Sequence, residues 1–388
     1  MAKVLIEPDA AADRFTLELI KGALNAARAE MEALIARTAM SPFIREKKDY
    51  FTAFLNPAGE LVVSTSLTLA GNLVDAVLET YPAETMRPGD LYWYNDCYGT
   101  GGAVSHLPDM AFIMPVFHEG RLIAFTEAWG HLWDIGGAVA GSISPHATSV
   151  FQEGIMIPPV RVMREGVENE EVVRIFTRNS RFPDMLRGDL KSIMAGCRLG
   201  ARRLEEAIGR YGVDAVEAAF ETMIGESEQA LRGEMAARIP DGEYAFRDRI
   251  DSDAVTDRSY FVDVVLKKAG GSVELDFTAS DRQAEGPINF IMDASAPKFM
   301  LGLWMTMGQP GIGMNGGFER AVDRVVTRPG SIVAPKFPAP LGLRSHTMIR
   351  VTTALFGALA EATGGQASAA PCVYVLYYLR GRNADGSE

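Results

Sequence analysis

The sequence lacks both a membrane-spanning apolar run and a phosphate-binding P-loop. A helix that crosses a bilayer needs roughly 18 consecutive apolar residues, and no stretch of this chain reaches that length. The pattern G-x-x-x-x-G-K-[ST] has no match either. We therefore expect no membrane association, and any nucleotide that matters to this protein is expected on a different chain.

Cysteine and positive charge are also scarce. The three cysteines, Cys97, Cys197 and Cys372, form no C-x-x-C pair, which argues against a disulfide framework or a thiolate zinc site. Acidic residues outnumber basic ones by 50 to 38, whereas a nucleic-acid-binding surface requires clustered Lys and Arg. Residues 1–15 place a proline and acidic residues after a very short apolar stretch, so we predict no signal peptide and a cytoplasmic location.

The composition is that of a globular protein, with 47% hydrophobic and 23% charged residues in a chain of 388. We predict an α+β fold with mixed elements: β-hairpins and an antiparallel sheet, an N-terminal helix and a central helical hairpin at about 188–238. Two regions are expected, a metal-site domain over 1–240 and a β-rich region over 241–388. Because Asp385-Gly386 follows a strand pattern and would open a hairpin, we expect the natural chain to continue.

The predicted N-terminal helix covers residues 13–37 and carries one apolar stripe. The stripe follows helical spacing and consists of Leu17, Ile20, Leu24, Ala27, Met31 and Leu34. Such a stripe is typical of a helix that packs on the protein core or on a partner subunit.

Two of the five histidines stand three residues before an aspartate, in HLPD (His106–Asp109) and HLWD (His131–Asp134). The intervening sequence predicts a β-hairpin: the strand MAFIMPVF, the turn HEG and the strand RLIAFTEAWGH. A tight turn at HEG places His131 opposite residue 107 or 108, and a β-bulge would shift this by one residue. The hairpin is therefore expected to bring His131 to the HLPD loop.

Two imidazoles and a carboxylate in one place suit a divalent metal ion such as zinc, manganese or iron. His106, Asp109 and His131 are the candidate ligands, and three protein ligands with one open position are usual for a catalytic metal. The residues alone leave a second interpretation open, in which each histidine only satisfies hydrogen bonds at a strand end.

Further polar residues and glycines flank the two motifs. Asn95 and Asp96 precede the HLPD loop, and Asp134, Gly136 and Gly137 follow the second histidine. We predict catalytic roles for Asp134 and Asp96, with Asp134 either orienting a ligand or handling a proton. Asn95 and the two glycines are predicted to bind substrate, because glycine lets the backbone approach a ligand. Turn and capping chemistry is the alternative for all five.

The stretches NDCYGTGGAVSHLPDMAFIMPVFHEGRL, HLWDIGG, GSISP, FQEGIMIPP, RNSRFPD and GDLKSIMAG together resemble the hydantoinase B/oxoprolinase family. The resemblance runs from about residue 15 to the end of the chain. The family includes N-methylhydantoinase B subunits, the C-terminal half of 5-oxoprolinase, lactamase subunits and one subunit type of acetone and acetophenone carboxylases.

The resemblance implies a complex, a partner and a ligand set. Family members work beside a hydantoinase A-type subunit that binds ATP and phosphorylates the small-molecule substrate, so a hetero-oligomer is expected. The family's metal ligands match His106, Asp109 and His131, with a further acidic residue from the segment REKKD. Glu46 and Asp49 both lie in that segment, and either could be the fourth ligand.

Two reactions and one non-catalytic role follow from the resemblance. In the first reaction, the partner phosphorylates a hydantoin, oxoproline or lactam oxygen, and hydrolysis then opens the ring. In the second, a ketone is enolised, phosphorylated and carboxylated. We favour the hydrolase because it is the broader part of the family. In the third alternative the chain is a scaffold, and the stripe in residues 13–37 is its docking surface.

Overall fold

The computed structural model describes residues 14–65, 71–309 and 311–365. The helices in this part of the chain are α1 (Arg14–Thr38), α2 (Pro42–Arg45), α3 (Asp75–Thr80), α4 (Glu170–Arg178), α5 (Pro183–Tyr211), α6 (Val213–Arg238), α7 (Ser295–Thr306), α8 (Gly316–Ala321) and α9 (Ser345–Ala362). The strands are β1 (Tyr50–Leu55), β2 (Leu61–Ser64), β3 (Leu91–Tyr94), β4 (Asp109–His118), β5 (Arg121–His131), β6 (Val160–Arg164), β7 (Val167–Glu168), β8 (Gly242–Ile250), β9 (Tyr260–Ala269), β10 (Ser272–Asp276) and β11 (Arg324–Val326). The predicted α+β class is confirmed.

The larger sheet has seven antiparallel strands in the order β2-β1-β5-β4-β3-β6-β7. The predicted hairpin of β4 and β5 lies in the middle of this sheet, and both strands are buried along almost their whole length. On one face of β5, Thr126 donates a hydrogen bond to the carbonyl of Cys197 in α5, and Gly130 lies against Ile193. Because side chains alternate along a strand, the opposite face carries the odd-numbered residues of β5, including His131.

The predicted helical hairpin is present as α5 and α6. Gly212 joins the two helices with φ = 86°, a conformation that glycine adopts without strain. Helix α1 packs against both helices through its buried apolar side chains: Ile20, Leu24, Ala27, Met31 and Ile35. Ile35 replaces the predicted Leu34, which is only partly buried. Since α5 and α6 cover the stripe within the chain, its predicted packing on the protein core is confirmed. The stripe is therefore not the docking surface that the scaffold alternative required.

The second sheet has four strands in the order β11-β10-β9-β8, and only the β10–β11 pair is parallel. The predicted hairpin at Gly270-Gly271 joins β9 to β10. The region after residue 240 was predicted to be rich in β-strands. It also contains the helices α7, α8 and α9, so its helix content is higher than predicted. Helix α7 is rich in apolar residues and packs into the core. The predicted last strand lies outside the described residues.

The two predicted regions share one hydrophobic cluster. Phe112 of β4 and Leu355 of α9 both belong to it, although they lie on opposite sides of residue 240. The predicted boundary at residue 240 lies just after the end of α6. The division of the chain into two domains at this point stays a prediction. None of the helices described above is both long and apolar enough to cross a membrane.

Candidate metal centre

The register of the β4–β5 hairpin brings the two sequence motifs together. His118 pairs with Arg121 at the turn, but a β-bulge between Val116 and Phe117 shifts the register by one residue. His131 therefore pairs with Asp109 rather than with residue 107 or 108. The shift matters, because it places the second histidine directly opposite the carboxylate of the first motif.

The three predicted ligands form one buried cluster. Nε2 of His106 lies 3.1 Å from Oδ1 of Asp109 and 3.2 Å from Nδ1 of His131. Nδ1 of His131 lies 3.4 Å from the same carboxylate oxygen. The three residues are between 1% and 5% exposed. Their ligand atoms therefore meet in a polar centre that is largely closed to bulk water.

The donor set and its spacing fit a divalent metal ion. Metal bonds of about 2.0–2.2 Å to His and carboxylate ligands place neighbouring ligand atoms roughly 3.0–3.5 Å apart. The distances in this cluster fall in that range. Hydrogen bonds alone would require ring protons that these atoms share. A cation can instead accept a lone pair from each of the three ligand atoms. Elsewhere in the described chain no other group of three such residues lies at ligand spacing.

The protonation states also suit metal binding. Burial and the nearby Arg344 lower the pKa of His106 to about 4, so its ring is neutral at physiological pH. Burial alone would raise the pKa of Asp109, but His106 and Arg344 hold it well below its usual value. The centre therefore offers a neutral imidazole and an ionised carboxylate.

Arg344 is the residue that sequence reasoning missed. Its Nη2 donates to Oδ2 of Asp109 at 3.1 Å, and its Nε donates to Oγ of Ser105 at 2.9 Å. It stands directly before α9 and is 9% exposed. One carboxylate oxygen of Asp109 therefore faces the histidines, and the other accepts a hydrogen bond from the Arg344 guanidinium. Arg344 lies in the segment APLGLRS, and nothing in the sequence connects this segment to residue 109.

The first segment of the chain supports the ring of His131. Phe43 of α2 stacks on this imidazole with ring centroids 4.5 Å apart and an angle of 14° between the planes. The backbone N–H of His131 donates to the carbonyl of Asp49 at 3.0 Å. The stacking contact fixes the plane of the His131 ring, and the hydrogen bond fixes the end of β5. Together they limit how far the His131 side chain can move.

The two candidates for a fourth ligand occupy different positions. Oδ2 of Asp49 lies 3.9 Å from Nδ1 of His131 and 2.6 Å from Nζ of Lys47. Glu46 caps the end of α2 through its backbone N–H and is exposed. Asp49 therefore lies beside the cluster, whereas the side chain of Glu46 is exposed to solvent. The choice of a fourth ligand stays a prediction, and this geometry favours Asp49.

Asp134 and Asn95 are occupied by the backbone of neighbouring loops. The carboxylate of Asp134 accepts hydrogen bonds from the backbone N–H groups of Gly136, Gly141 and Arg181, and from the Arg181 guanidinium. Asn95 donates to the carbonyls of Leu107 and Ile155 and accepts from Ile157 N–H. Their roles toward ligand or substrate stay predictions, but these contacts show that both side chains order the loops around the centre.

The remaining predicted site residues also serve turns. Asp96 accepts hydrogen bonds from the backbone N–H groups of Tyr98 and Gly99, the usual pattern of an Asx turn. Gly136 and Gly137 have φ of 90° and 83°, and a Cβ on Gly137 would lie 2.6 Å from a backbone oxygen of Gln152. Close packing of the loop requires these glycines. The catalytic role of Asp96 and the binding of substrate by Gly136 and Gly137 stay predictions.

The other three histidines are not part of the cluster. His118 stands at the tip of the β4–β5 hairpin. Nδ1 of His146 contacts the carbonyl of Ala254, and Nδ1 of His346 contacts the carbonyl of Leu343. These contacts of His146 and His346 are ordinary hydrogen bonds to the backbone.

Comparison with known proteins agrees with the sequence resemblance. The family model for hydantoinase B/oxoprolinase matches residues 13–386. A caprolactamase subunit beta from Pseudomonas jessenii is 31% identical over 60% of this chain and 40% of its own length. The 5-oxoprolinase of Dictyostelium discoideum is 28% identical over 86% of this chain and 27% of its own length. An acetophenone carboxylase delta subunit from Aromatoleum aromaticum is 32% identical over 58% of this chain and 33% of its own length.

Solved structures show the same fold. The crystal structure of ATP-dependent caprolactamase from Pseudomonas jessenii matches with a TM-score of 0.81 and 27% identity, over 90% of this chain and 60% of that one. A nucleotide-free acetone carboxylase structure matches with a TM-score of 0.73 at 19% identity, over 91% of this chain and 48% of that one, which supports the fold alone. This chain therefore spans 60% or less of the length of each of these proteins.

Proposed function

The chain belongs to the hydantoinase B/oxoprolinase family, and from this premise we propose that it is the metal-binding subunit of an ATP-dependent enzyme complex. The proposed reaction is hydrolysis of a cyclic amide of the lactam, hydantoin or oxoproline type. One observation carries the proposal: His106, Asp109 and His131 converge at ligand spacing in a buried centre. The likeness to a caprolactamase subunit and structure supports the choice of a cyclic amide.

The chain's own residues prepare the centre for a metal ion. His106 and His131 offer ring nitrogens, Asp109 offers a carboxylate oxygen, and Asp49 is the proposed fourth ligand. Arg344 binds the second oxygen of Asp109 and keeps this carboxylate ionised. A divalent metal, when bound, supplies Lewis acidity and lowers the pKa of a bound water. Zinc, manganese and iron all accept this ligand set.

A second chain completes the proposed enzyme. The sequence has no P-loop, so we assign ATP binding and phosphorylation of the amide oxygen to a hydantoinase A-type partner. The names of the relatives, subunit beta and delta subunit, support membership of a hetero-oligomer. Phosphorylation of the amide oxygen makes the ring carbon electrophilic. One water then adds to this carbon, the C–N bond breaks as the nitrogen gains a proton, and the acyl phosphate that remains is hydrolysed by a second water to the carboxylate and phosphate. A metal ion held by His106, Asp109 and His131 would supply Lewis acidity for the addition of water.

Metal content tests the ligand set directly. The purified chain is loaded with Zn²⁺ or Mn²⁺, desalted and analysed by plasma mass spectrometry, beside His131→Ala and the control His118→Ala. We expect about one metal per chain in the wild type and the control, and loss of most of it in His131→Ala, since removal of one of three ligands is severe. Equal metal content in all three proteins would refute the proposed centre.

Reconstitution tests the reaction. The chain is mixed with its A-type partner, ATP and a lactam, hydantoin or 5-oxoproline, and ring-opened product is measured beside released phosphate. We expect product formation that requires both chains and that His131→Ala abolishes. ATPase activity of this chain alone would contradict the assignment of ATP to the partner. An active complex that carries His131→Ala and no metal would instead support the scaffold alternative.

Carboxylation is the second candidate function. The 32% identity to an acetophenone carboxylase delta subunit favours it, and that value is as high as the identity to the caprolactamase subunit. The same reconstituted complex is assayed with a ketone, bicarbonate and ATP. Carboxylated product without hydrolysis of any cyclic amide would replace the hydrolase proposal, because both reactions would use the same metal centre.

A further inference from the structure

Glu153 is a buried acid that the proposed mechanism does not use. It follows the short helical turn Val150–Gln152, and its side chain is completely buried. One carboxyl oxygen, Oε1, accepts hydrogen bonds from the backbone N–H groups of Leu341 and Gly342, both at 2.7 Å. The other oxygen, Oε2, is buried without a hydrogen-bond partner in the described part of the chain. Glu153 therefore bridges two segments that lie 188 positions apart in the sequence.

The segment that Glu153 binds leads directly to Arg344. The backbone N–H of Arg344 donates to the carbonyl of Leu341 at 2.8 Å, which closes a tight turn over residues 341–344. We call these four residues the Arg344 turn. The N–H of its third residue donates to a backbone carbonyl of another segment. Each N–H of the turn therefore has a partner, as buried backbone requires, and Glu153 binds two of the four.

Arg344 connects this turn to the proposed metal centre. Its guanidinium donates to Oδ2 of Asp109 at 3.1 Å and to Oγ of Ser105 at 2.9 Å. Asp109 then faces the two histidines with its other carboxylate oxygen. Groups that orient a metal ligand commonly contribute 10–100-fold to metal affinity. Because the guanidinium extends from the Arg344 turn, its position depends on the backbone that Glu153 holds.

The protonation of Glu153 keeps it from competing with Asp109 for the guanidinium. Burial raises the pKa of Glu153 to about 8, although the two backbone N–H groups and Arg344 lower it. At pH 7 its carboxyl group is therefore mostly neutral, whereas Asp109 is ionised. A neutral carboxyl group still accepts two N–H bonds at one oxygen. The contribution of Glu153 is therefore geometric, and the neutral amide of a glutamine has the shape to replace it.

We propose that Glu153 is a positioning residue for the metal centre: by binding two N–H groups of the Arg344 turn, it places the guanidinium that orients Asp109. The inference rests on the proposed function, because it assigns Glu153 to the metal centre of that function. Its first step, from Glu153 to Arg344, concerns the metal-free chain alone. The two steps can therefore be tested separately.

A double-mutant cycle in the metal-free chain tests the first step. Urea unfolding at pH 7 is measured for the wild type, Glu153→Met, Arg344→Met and the double variant. Methionine has nearly the length of glutamate but only a weak acceptor, so it releases the Arg344 turn. We expect the double variant to lose clearly less stability than the sum of the two single losses, because Glu153→Met already loosens the contact between Arg344 and Asp109. Additive losses would overturn the proposal.

Competition between the chain and a chelator for Zn²⁺ tests the second step. Glu153→Met should weaken binding about tenfold, and it should cause no further loss in the Arg344→Met background. Glu153→Gln keeps the acceptor and should bind as the wild type does, whereas a role of the negative charge would weaken it. The control is Asp90→Asn: Asp90 is buried and binds two backbone N–H groups, but it lies roughly 20 Å from Asp109 along the sheet. This control should lose stability and keep its affinity for Zn²⁺.

A milder variant covers the case in which Glu153→Met does not fold. A Cβ on Gly342 would lie 3.3 Å from Oε1 of Glu153, and the backbone there suits alanine. Gly342→Ala should therefore fold, displace the carboxyl group from the turn and weaken Zn²⁺ binding severalfold. Wild-type affinity in Gly342→Ala, or in a folded Glu153→Met, would overturn the proposal. A wild type that binds no Zn²⁺ would refute the metal centre itself, and the urea cycle would still decide whether Glu153 places Arg344.

Discussion

The substitution Glu127→Gln should remove a large part of the pH dependence of stability. The pKa of Glu127 in the folded chain is about 8, against an ordinary value of 4.5, and burial is the cause. Between these two pH values the folded chain holds a proton that the unfolded chain has released. Stability supplied by the protonated form is complete below the unfolded pKa and is lost as the pH rises through the folded pKa.

The size of the effect follows from the difference between these two pKa values. Each pH unit in this window costs the wild type about 1.4 kcal/mol, so the full difference corresponds to roughly 5 kcal/mol, by order of magnitude. At pH 7 the loss is about 3 kcal/mol. The glutamine side chain of the variant does not titrate, so the variant should escape this loss. Burial causes the raised pKa of Glu127. The other titrating groups are the same in both proteins, so their contributions largely cancel in the difference.

Urea unfolding from pH 5.5 to 8.5 measures this difference. The variant should gain stability over the wild type by about 1.4 kcal/mol per pH unit up to pH 8. Glu243→Gln serves as the control and should follow the wild type.

Two results would refute the reasoning. A constant difference between wild type and Glu127→Gln across the pH range would show that this carboxylate does not titrate in the window. A wild type that is more stable at pH 8 than at pH 5.5, relative to the variant, would show that Glu127 is ionised and stabilised in the folded chain. Either outcome would mean that burial does not set the protonation of this carboxylate.

Two further predictions concern the proposed metal centre. Asp49→Asn should weaken binding of Zn²⁺ or Mn²⁺ by roughly 10–100-fold in a chelator competition, whereas Glu46→Gln should leave it unchanged; equal affinities would exclude Asp49. Arg344→Met should destabilise the metal-free chain by roughly 3–5 kcal/mol, because Asp109 loses its buried partner. Saturating metal should then raise the melting temperature more in this variant than in the wild type, and an equal rise would contradict the role of Arg344.

Local sequence patterns predicted many of the helices and strands of the fold. The turn HEG between two apolar runs predicted the β4–β5 hairpin, and the helical pattern over about 188–238 predicted the hairpin of α5 and α6. These elements depend on neighbours within about ten residues, so periodicity and turn chemistry reveal them. The hairpin in turn brought His131 to the HLPD loop. A β-bulge shifted the pairing to Asp109, and turn chemistry at the tip carries no information about such a bulge.

Amphipathic patterns predicted a buried face but not what covers it. The stripe of α1 suggested either the core or a partner subunit, and the structure covers it with α5 and α6 of the same chain. The helices after residue 240 were missed in favour of strands. Helix α9 is buried through most of its length, so its apolar residues show little of the periodicity that identifies a surface helix.

The sequence by itself determined the main secondary-structure elements, the family and the identity of the three converging side chains. Only the tertiary structure decided that Arg344 holds Asp109, that Asp49 rather than Glu46 lies beside His131, and that Asp134 and Asn95 bind loop backbone. Such contacts depend on how whole elements pack, and no local spacing in the chain encodes the distance between Asp109 and Arg344, which are 235 positions apart.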